Sequence, residues 1–354
     1  MKHKKRHLMT GTMILCIFLA ACGANADVAD QSSEMESSTN ASNEKLAGEI
    51  GEAYIIEPLR EFHDVVIDWA LYQDSLYYVS YEKLLADSEE EQVIIARIDL
   101  DKPSAIDIIR PDIPPTQRRG IERIAIDNHE NIHIMTSLFD ENWQADTFWY
   151  QIGKEGNIIN TTDITGITRE HGSSIMTDFM IDADGNAYIA GFYFSDPDYS
   201  CSVYAINPAG DLLFQTLTKH IVWSMFKDTE GKIYVHRYTT INAIEGFTTS
   251  VISQIDIDAG VLNDTDITGY SAKHLLGLGI NAEKSLFYAN INGVYDADLE
   301  NGEITERFTW PSLSFKPSPS GKIHPLSGGR IMLANWPDGM GRLGQCRPVQ
   351  HHPA

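Results

Sequence analysis

A strand–turn–strand unit recurs along this chain and constrains its fold more than any other feature. Its copies read IERIAIDNHENIHIMT (121–136), MTDFMIDADGNAYIAG (176–191), VWSMFKDTEGKIYVHR (222–237) and LLGLGINAEKSLFYAN (275–290), with a weaker copy, VIDWALYQDSLYYVSY, at 66–81. Each places an alternating apolar strand before a polar turn and a strand rich in Tyr, Ile and Val after it. Asp127, Asp182, Asp228 and Asn281 hold the same slot, spaced by 55, 46 and 53 residues. The Asp-rich copy at 182–186 invites a calcium reading. An EF-hand loop needs acids at its first, third and fifth positions, glycine at the sixth and glutamate at the twelfth. Counted from Asp182, Gly185 falls fourth, Ala187 sixth and Tyr193 twelfth, so the ligand set fails. Sister copies with DNHEN, DTEGK and NAEKS keep the turn but not the acids.

A second hairpin follows each first one, at 93–109, 148–162, 202–216, 251–264 and 294–308. Gly156, Gly210 and Gly302 sit at three of their centres, where hairpin turns demand positive φ. Two hairpins make four strands in about 50 residues, the period of propeller blades. The expected fold is therefore all-β: a β-propeller of about six four-stranded blades over 52–336. Five units fill Val66 to about Phe308, and a sixth begins near Pro319 and is cut short. The segment AYIIEPL at 53–59 is a candidate to close the ring by joining the last blade. A β-sandwich array is the alternative, although it would not keep the two-hairpin rhythm.

The I-D-x-x-G-x-x-Y rhythm, present here as Ile181, Asp182, Gly185 and Tyr188, resembles that of NHL-type and gluconolactonase-like propellers. The chain also resembles the propeller region found ahead of a solute-binding domain in some Firmicutes lipoproteins. The first resemblance implies, for the lactonases, a channel metal held by Glu, Asn and Asp. Those positions do not map onto this sequence residue by residue, so no catalytic residue, metal ligand or cofactor is carried over. The second implies the N-terminal part of a solute-binding lipoprotein of an ABC transporter.

The N-terminus reads MKHKKRH, then an apolar run at 8–20, then Leu19-Ala20-Ala21-Cys22-Gly23. The run is short for a membrane span and is flanked by basic charge, as in a signal peptide. The last five residues resemble a bacterial lipobox, which implies cleavage after Ala21 and a diacylglycerol on Cys22. An ordinary secretory signal is the alternative. Residues 1–21 are thus read as signal peptide and 22–51 as a lipidated cysteine with a flexible linker, rich in Ser, Asn, Asp and Glu. Residues 337–354 lose the acidic strand-and-turn character and are expected to be an irregular tail, produced by truncation or a frameshift near Asn335, with a plain disordered tail as the alternative.

The 27 Lys and Arg against 50 Asp and Glu give a net charge of −23, which argues against nucleic acid as a partner. The expected location is extracytoplasmic, lipid-anchored at the cell membrane. Of four cysteines, Cys16 leaves with the signal, Cys22 carries lipid, and nothing pairs Cys201 with Cys346. No G-x-S-x-G, H-E-x-x-H or P-loop motif is present. Two groups mark a candidate ligand face. His63, Arg119, His171, His220 and His274 each stand just before the first strand of a unit, where they could ring the channel mouth and bind an anion or, as neutral histidines, a metal, or simply pair with acidic loops. Trp143, Tyr193 and Tyr199 lie beside carboxylates in the longer loops, a mixture suited to carbohydrate or cationic groups; buried loop aromatics are the plainer alternative. The expected role is a binding module for a small molecule, carbohydrate, transporter permease or surface protein, with a metal-dependent lactonase or hydrolase as the alternative. Replacing Cys22 with Ser should move the chain from the membrane fraction to the medium, which cell fractionation checks directly.

Overall fold

A computed structural model describes residues 49–50, 54–61, 66–83, 90–102, 104–114, 120–140, 145–170, 175–193, 198–199, 201–228, 230–238, 241–242, 246–247, 250–265, 277–280, 285–289, 293–298, 303–309, 323–325, 331–335 and 342–348. The strands follow the repeats. Blade 1 is built from Asp68–Tyr72, Ser75–Lys83, Glu91–Asp99 and Asp107–Ile109. Blade 2 comprises Gly120–Ile126, Ile132–Phe139, Ala145–Ile152 and Ile158–Asp163. Blade 3 comprises Met176–Ile181, Ala187–Phe192, Cys201–Ile206 and Leu212–Thr218. Blade 4 comprises Ile221–Lys227, Ile233–Tyr238, Ser250–Asp256 and Val261–Thr265. Blade 5 comprises Gly277–Ile280, Ser285–Ala289, Gly293–Asp298 and Ile304–Thr309. All five are antiparallel meanders, and the first strands of successive blades pack against one another. The protein is a β-propeller. One short helix, Thr165–Glu170, connects blade 2 to blade 3, its start held by the Thr165 N–H donating to Asp163 Oδ1 at 2.9 Å.

The sixth sheet is complete where a cut-short one was expected, and the segment expected to close the ring takes part in it. Its strands run Ile323–Pro325, Ile331–Asn335, Arg342–Pro348 and then Tyr54–Glu61, with Glu49–Ile50 outermost. Tyr54 pairs with Pro348 and Glu61 with Arg342, so the N-terminal strand supplies the fourth strand of the last blade. Arg342–Pro348 lies within the segment expected to be irregular, and that expectation is corrected here. Its side chains lack a clear alternation, but pairing along both backbone edges, to 331–335 and to 54–61, supplies what the pattern does not. Pro58 interrupts the register beside a bulge, a place where a missing N–H is tolerated.

The core lies between blades. In the second strand of blade 3, Ala187 and Ile189 pack toward blade 2 with Trp149 and Met135, whereas Tyr188 and Ala190 pack toward blade 4 with Val222 and Val235. A strand's period of two sends alternate residues to opposite neighbours. Middle strands such as CSVYAI are therefore buried at every position rather than at every other one. A comparable seam joins blades 1 and 2 through Tyr77, Ile95, Ile134 and Ile152.

Polar side chains tie the inner strands together. The Ile124 N–H of blade 2 donates to Asp68 Oδ2 of blade 1 at 3.1 Å. Arg123 Nη2 donates to the Met176 carbonyl of blade 3 at 2.8 Å. The Met225 N–H of blade 4 donates to Asp178 Oδ2 of blade 3 at 2.5 Å, and Phe179 N–H to its Oδ1 at 2.9 Å. Asp178→Ala strands two buried amides and should lower the unfolding free energy by about 1–3 kcal/mol for each amide left unpaired, read as a reduced urea midpoint.

Candidate functional site

Antiparallel pairing gathers the turns at Asp127, Asp182 and Asp228 on one face of the ring. The connections between second and third strands, and those between blades, gather on the opposite, long-loop face.

On the turn face the repeated aspartate closes its own turn. Asp182 Oδ1 accepts the N–H groups of Asp184 (2.9 Å) and Asn186 (2.8 Å), and Oδ2 accepts from Asn186 Nδ2 at 2.9 Å. Asp228 does the same with Glu230 and Lys232, both at 2.9 Å. Three residues on, the backbone turns left-handed, with φ of 83° at both Gly185 and Gly231. Six residues on stands a side-chain donor: Tyr188 bonds Asp182, and Tyr234 reaches Asp228 Oδ2 at 3.5 Å. The carboxylates are acceptors for protein N–H and O–H groups, and each closes its own hairpin turn.

Blade 2 departs from this motif at two slots, and both departures are partnered. Glu130 occupies the glycine slot at φ 63°, a strained conformation for a residue with a Cβ. Its carboxylate accepts from Tyr77 Oη at 2.6 Å and lies 3.5 Å from Arg97 Nη1, tying blade 2 to blade 1. His133 occupies the tyrosine slot and is fully buried. Trp149 Nε1–H donates to His133 Nδ1 at 3.1 Å, so the other ring nitrogen, Nε2, carries the proton and donates to Asp127 Oδ2 at 3.1 Å. Burial pushes the His133 pKa down, against the pull of Asp127. Burial pushes the Asp127 carboxyl up, but bonds from Asn131, His133 and His129 outweigh it and hold it below the ordinary carboxylate range. A cleft of about 210 Å³ opens between the turns of blades 2 and 3, lined in part by His129, Gln151, Asp182, Asp184 and Pro208.

On the long-loop face the structure describes three of the candidate residues. His220 immediately precedes the first strand of blade 4 and is half-buried, at the seam with blade 3. Tyr193 and Tyr199 flank one loop of blade 3, both half-buried. His63, Arg119, His171, His274, Trp143 and the lipid-attachment candidate Cys22 lie outside the described residues. Arg169, in the short helix that leads toward His171, bonds Asp146, near the start of the third strand of blade 2, at 2.9 Å. At that connection a basic side chain pairs with an acidic one of the preceding blade.

Arg237 is not among the residues marked by the repeats or loops. It is buried, and donates to Thr218 Oγ1 of blade 3 (3.2 Å), Ser253 Oγ of blade 4 (2.7 Å) and the Asp264 carboxylate. Its signal in the sequence is a lone cation inside the apolar strand IYVHRY. Among the described residues no group of three or more His, Cys, Asp or Glu side chains is placed to hold a metal.

No family model matches the chain, and no curated protein matches it in sequence. Among solved structures it is similar to a glucose dehydrogenase, with a TM-score of 0.52 and 9% identity over 84% of this chain and 99% of that one. The soluble aldose sugar dehydrogenase of Escherichia coli gives 0.52 and 10% over 84% and 100%. A luciferin-regenerating enzyme gives 0.50 and 10% over 83% and 95%. Identities this low show the shared propeller fold alone.

The buried histidines give the fold a pH profile. His236 is pushed down to about 3 by burial, and His133 is also lowered. As pH falls below about 6.5 the unfolded chain takes up protons that the folded one refuses. Stability should be level from there to about pH 8 and decline below about 6.5. Trp149→Phe deprives His133 Nδ1 of its donor and should cost about 1–2 kcal/mol at neutral pH, measured by urea unfolding.

Proposed function

We propose that this chain is a lipid-anchored, extracytoplasmic β-propeller that binds a small ligand or a partner protein on its long-loop face, as part of a solute-capturing lipoprotein. The observation that carries this is how the carboxylates are used. Asp68 and Asp178 of the inner strands accept backbone amides of the next blade, and Asp127, Asp182 and Asp228 accept their own turns. These acids serve the scaffold, which leaves recognition to the loop side chains on the other face. There Tyr193 and Tyr199 frame one loop with partly exposed rings, and Asp198 beside them is exposed. Aromatic faces next to carboxylates suit sugars and cationic groups. The acidic net charge of −23 favours partners that are neutral or basic.

The gluconolactonase-like resemblance supports a second reading, a metal-dependent lactonase or hydrolase. Two of the structural neighbours are named for sugar oxidation, which makes sugars and aldonolactones the first compounds to test. The purified chain, screened by thermal shift against neutral oligosaccharides, aldonolactones and cationic oligopeptides, should gain melting temperature with one of these classes. Tyr199→Ala and His220→Ala should abolish the gain. Stoichiometric divalent metal by elemental analysis, together with lactone turnover, would replace binding with the enzyme reading.

A further inference from the structure

The seam between blades 3 and 4 on the long-loop face carries a polar cluster that none of the preceding roles explains. Thr218 Oγ1, at the end of the outer strand of blade 3, accepts two donors: the His220 N–H at 3.1 Å and Arg237 Nη1 at 3.2 Å. Arg237 then reaches into blade 4, to Ser253 Oγ and the Asp264 carboxylate, and Ser253 Oγ also donates to Asp264 at 2.8 Å. One buried guanidinium thus holds two blades at once. The His220 ring lies within electrostatic reach of both charged members. Its Nδ1 is buried and has no hydrogen-bond partner. Among the described residues, the charged groups that act on this ring are Arg237 from the second strand of blade 4 and Asp264 from its fourth.

We propose that His220 is an acid-sensitive latch on this seam, neutral while the Thr218–Arg237–Asp264 bridge is closed and incompatible with that bridge once protonated. The geometry sets the conflict. A protonated ring must donate from Nδ1, where no acceptor stands, and it brings a second cation beside a buried one. Among the described residues the acidic group that acts on the ring is Asp264, whose side chain is 63% exposed. Drawing it toward His220 takes it from Arg237 and Ser253. The connection entering blade 4 loosens as a result, and with it the long-loop face near Tyr199. Burial, and then the charge of Arg237, push the His220 pKa down, against Asp264. The folded chain therefore refuses a proton that the unfolded chain accepts, and the latch opens as pH falls below about 6.5.

Two measurements on the full chain test this. The first follows the His220 ring by NMR through a pH titration. Its midpoint should lie below that of an exposed histidine, and Asp264→Asn should lower it further by removing the opposing charge. The second follows amide hydrogen exchange, corrected for intrinsic rates, from about pH 7.5 to about pH 5.5. Protection at Val222 and His220 should fall about tenfold per unit of His220 pKa depression, while Ile134 in blade 2 reports the general decline in stability, which His220→Gln leaves largely in place. The loss at Val222 beyond that at Ile134 should vanish in His220→Gln. A His220 midpoint at the exposed value, no effect of Asp264→Asn, or an equal loss of protection in His220→Gln overturns the latch.

Discussion

Every blade in this protein is stable only because its neighbours cover it. The two faces of a sheet such as that of blade 3 are both apolar, with Ile189 and Tyr204 on one side and Val203 and Ala205 on the other. Each large side chain fully buried in such a seam contributes on the order of 1.5–3 kcal/mol. A single blade would expose both faces to water. Stability therefore belongs to seams rather than to sheets, and a seam mutation is felt by two blades. The inner-strand ties from Asp68, Arg123 and Asp178 serve the same end, since each reaches from one blade into the next.

The turn motif follows from local physics. An aspartate that accepts two amides within five residues, a glycine at positive φ and a tyrosine that bonds back to the carboxylate form a self-contained hairpin. Blade 2 shows what the motif tolerates. Glu130 replaces the glycine at a strained φ, and its carboxylate gains Tyr77 and Arg97. His133 replaces the tyrosine, and its second nitrogen gains Trp149. Both substitutions lengthen a local motif into a link that reaches farther along the chain.

Much of this fold was legible in the sequence because its rules are local. Hairpin turns name themselves through Asp, Asn and Gly, and five blades follow from their spacing. The strand at 342–348 was not legible, because RLGQCRP forms by pairing with partners almost 300 residues away and not by its own pattern. The candidate site was less legible. His220 stood out by position, but what gives it chemical interest is Arg237, which arrives from another strand. A polar residue inside an apolar strand, such as Asp178 or Arg237, announces that something is bonded without saying what. Its partner is set by the packing of the adjacent blade, which spacing along one chain does not encode.

The pairing of Tyr54–Glu61 with Arg342–Pro348 makes the last sheet different in kind from the other five. Each of those is drawn from one continuous stretch and can begin to form as soon as that stretch exists. The last must bring the two ends of the folded region together across the whole ring. Loop-closure entropy grows only logarithmically with length, so the equilibrium cost is moderate, but contacts this distant in sequence form slowly. The chain can thus assemble most of its blades while still open, with the edge strands of the first and last waiting unpaired. Such edges invite pairing with other chains. The clasp therefore decides how long the nascent ring remains vulnerable, and a cut or a fault in a few residues near either end would reopen a ring whose other blades are intact.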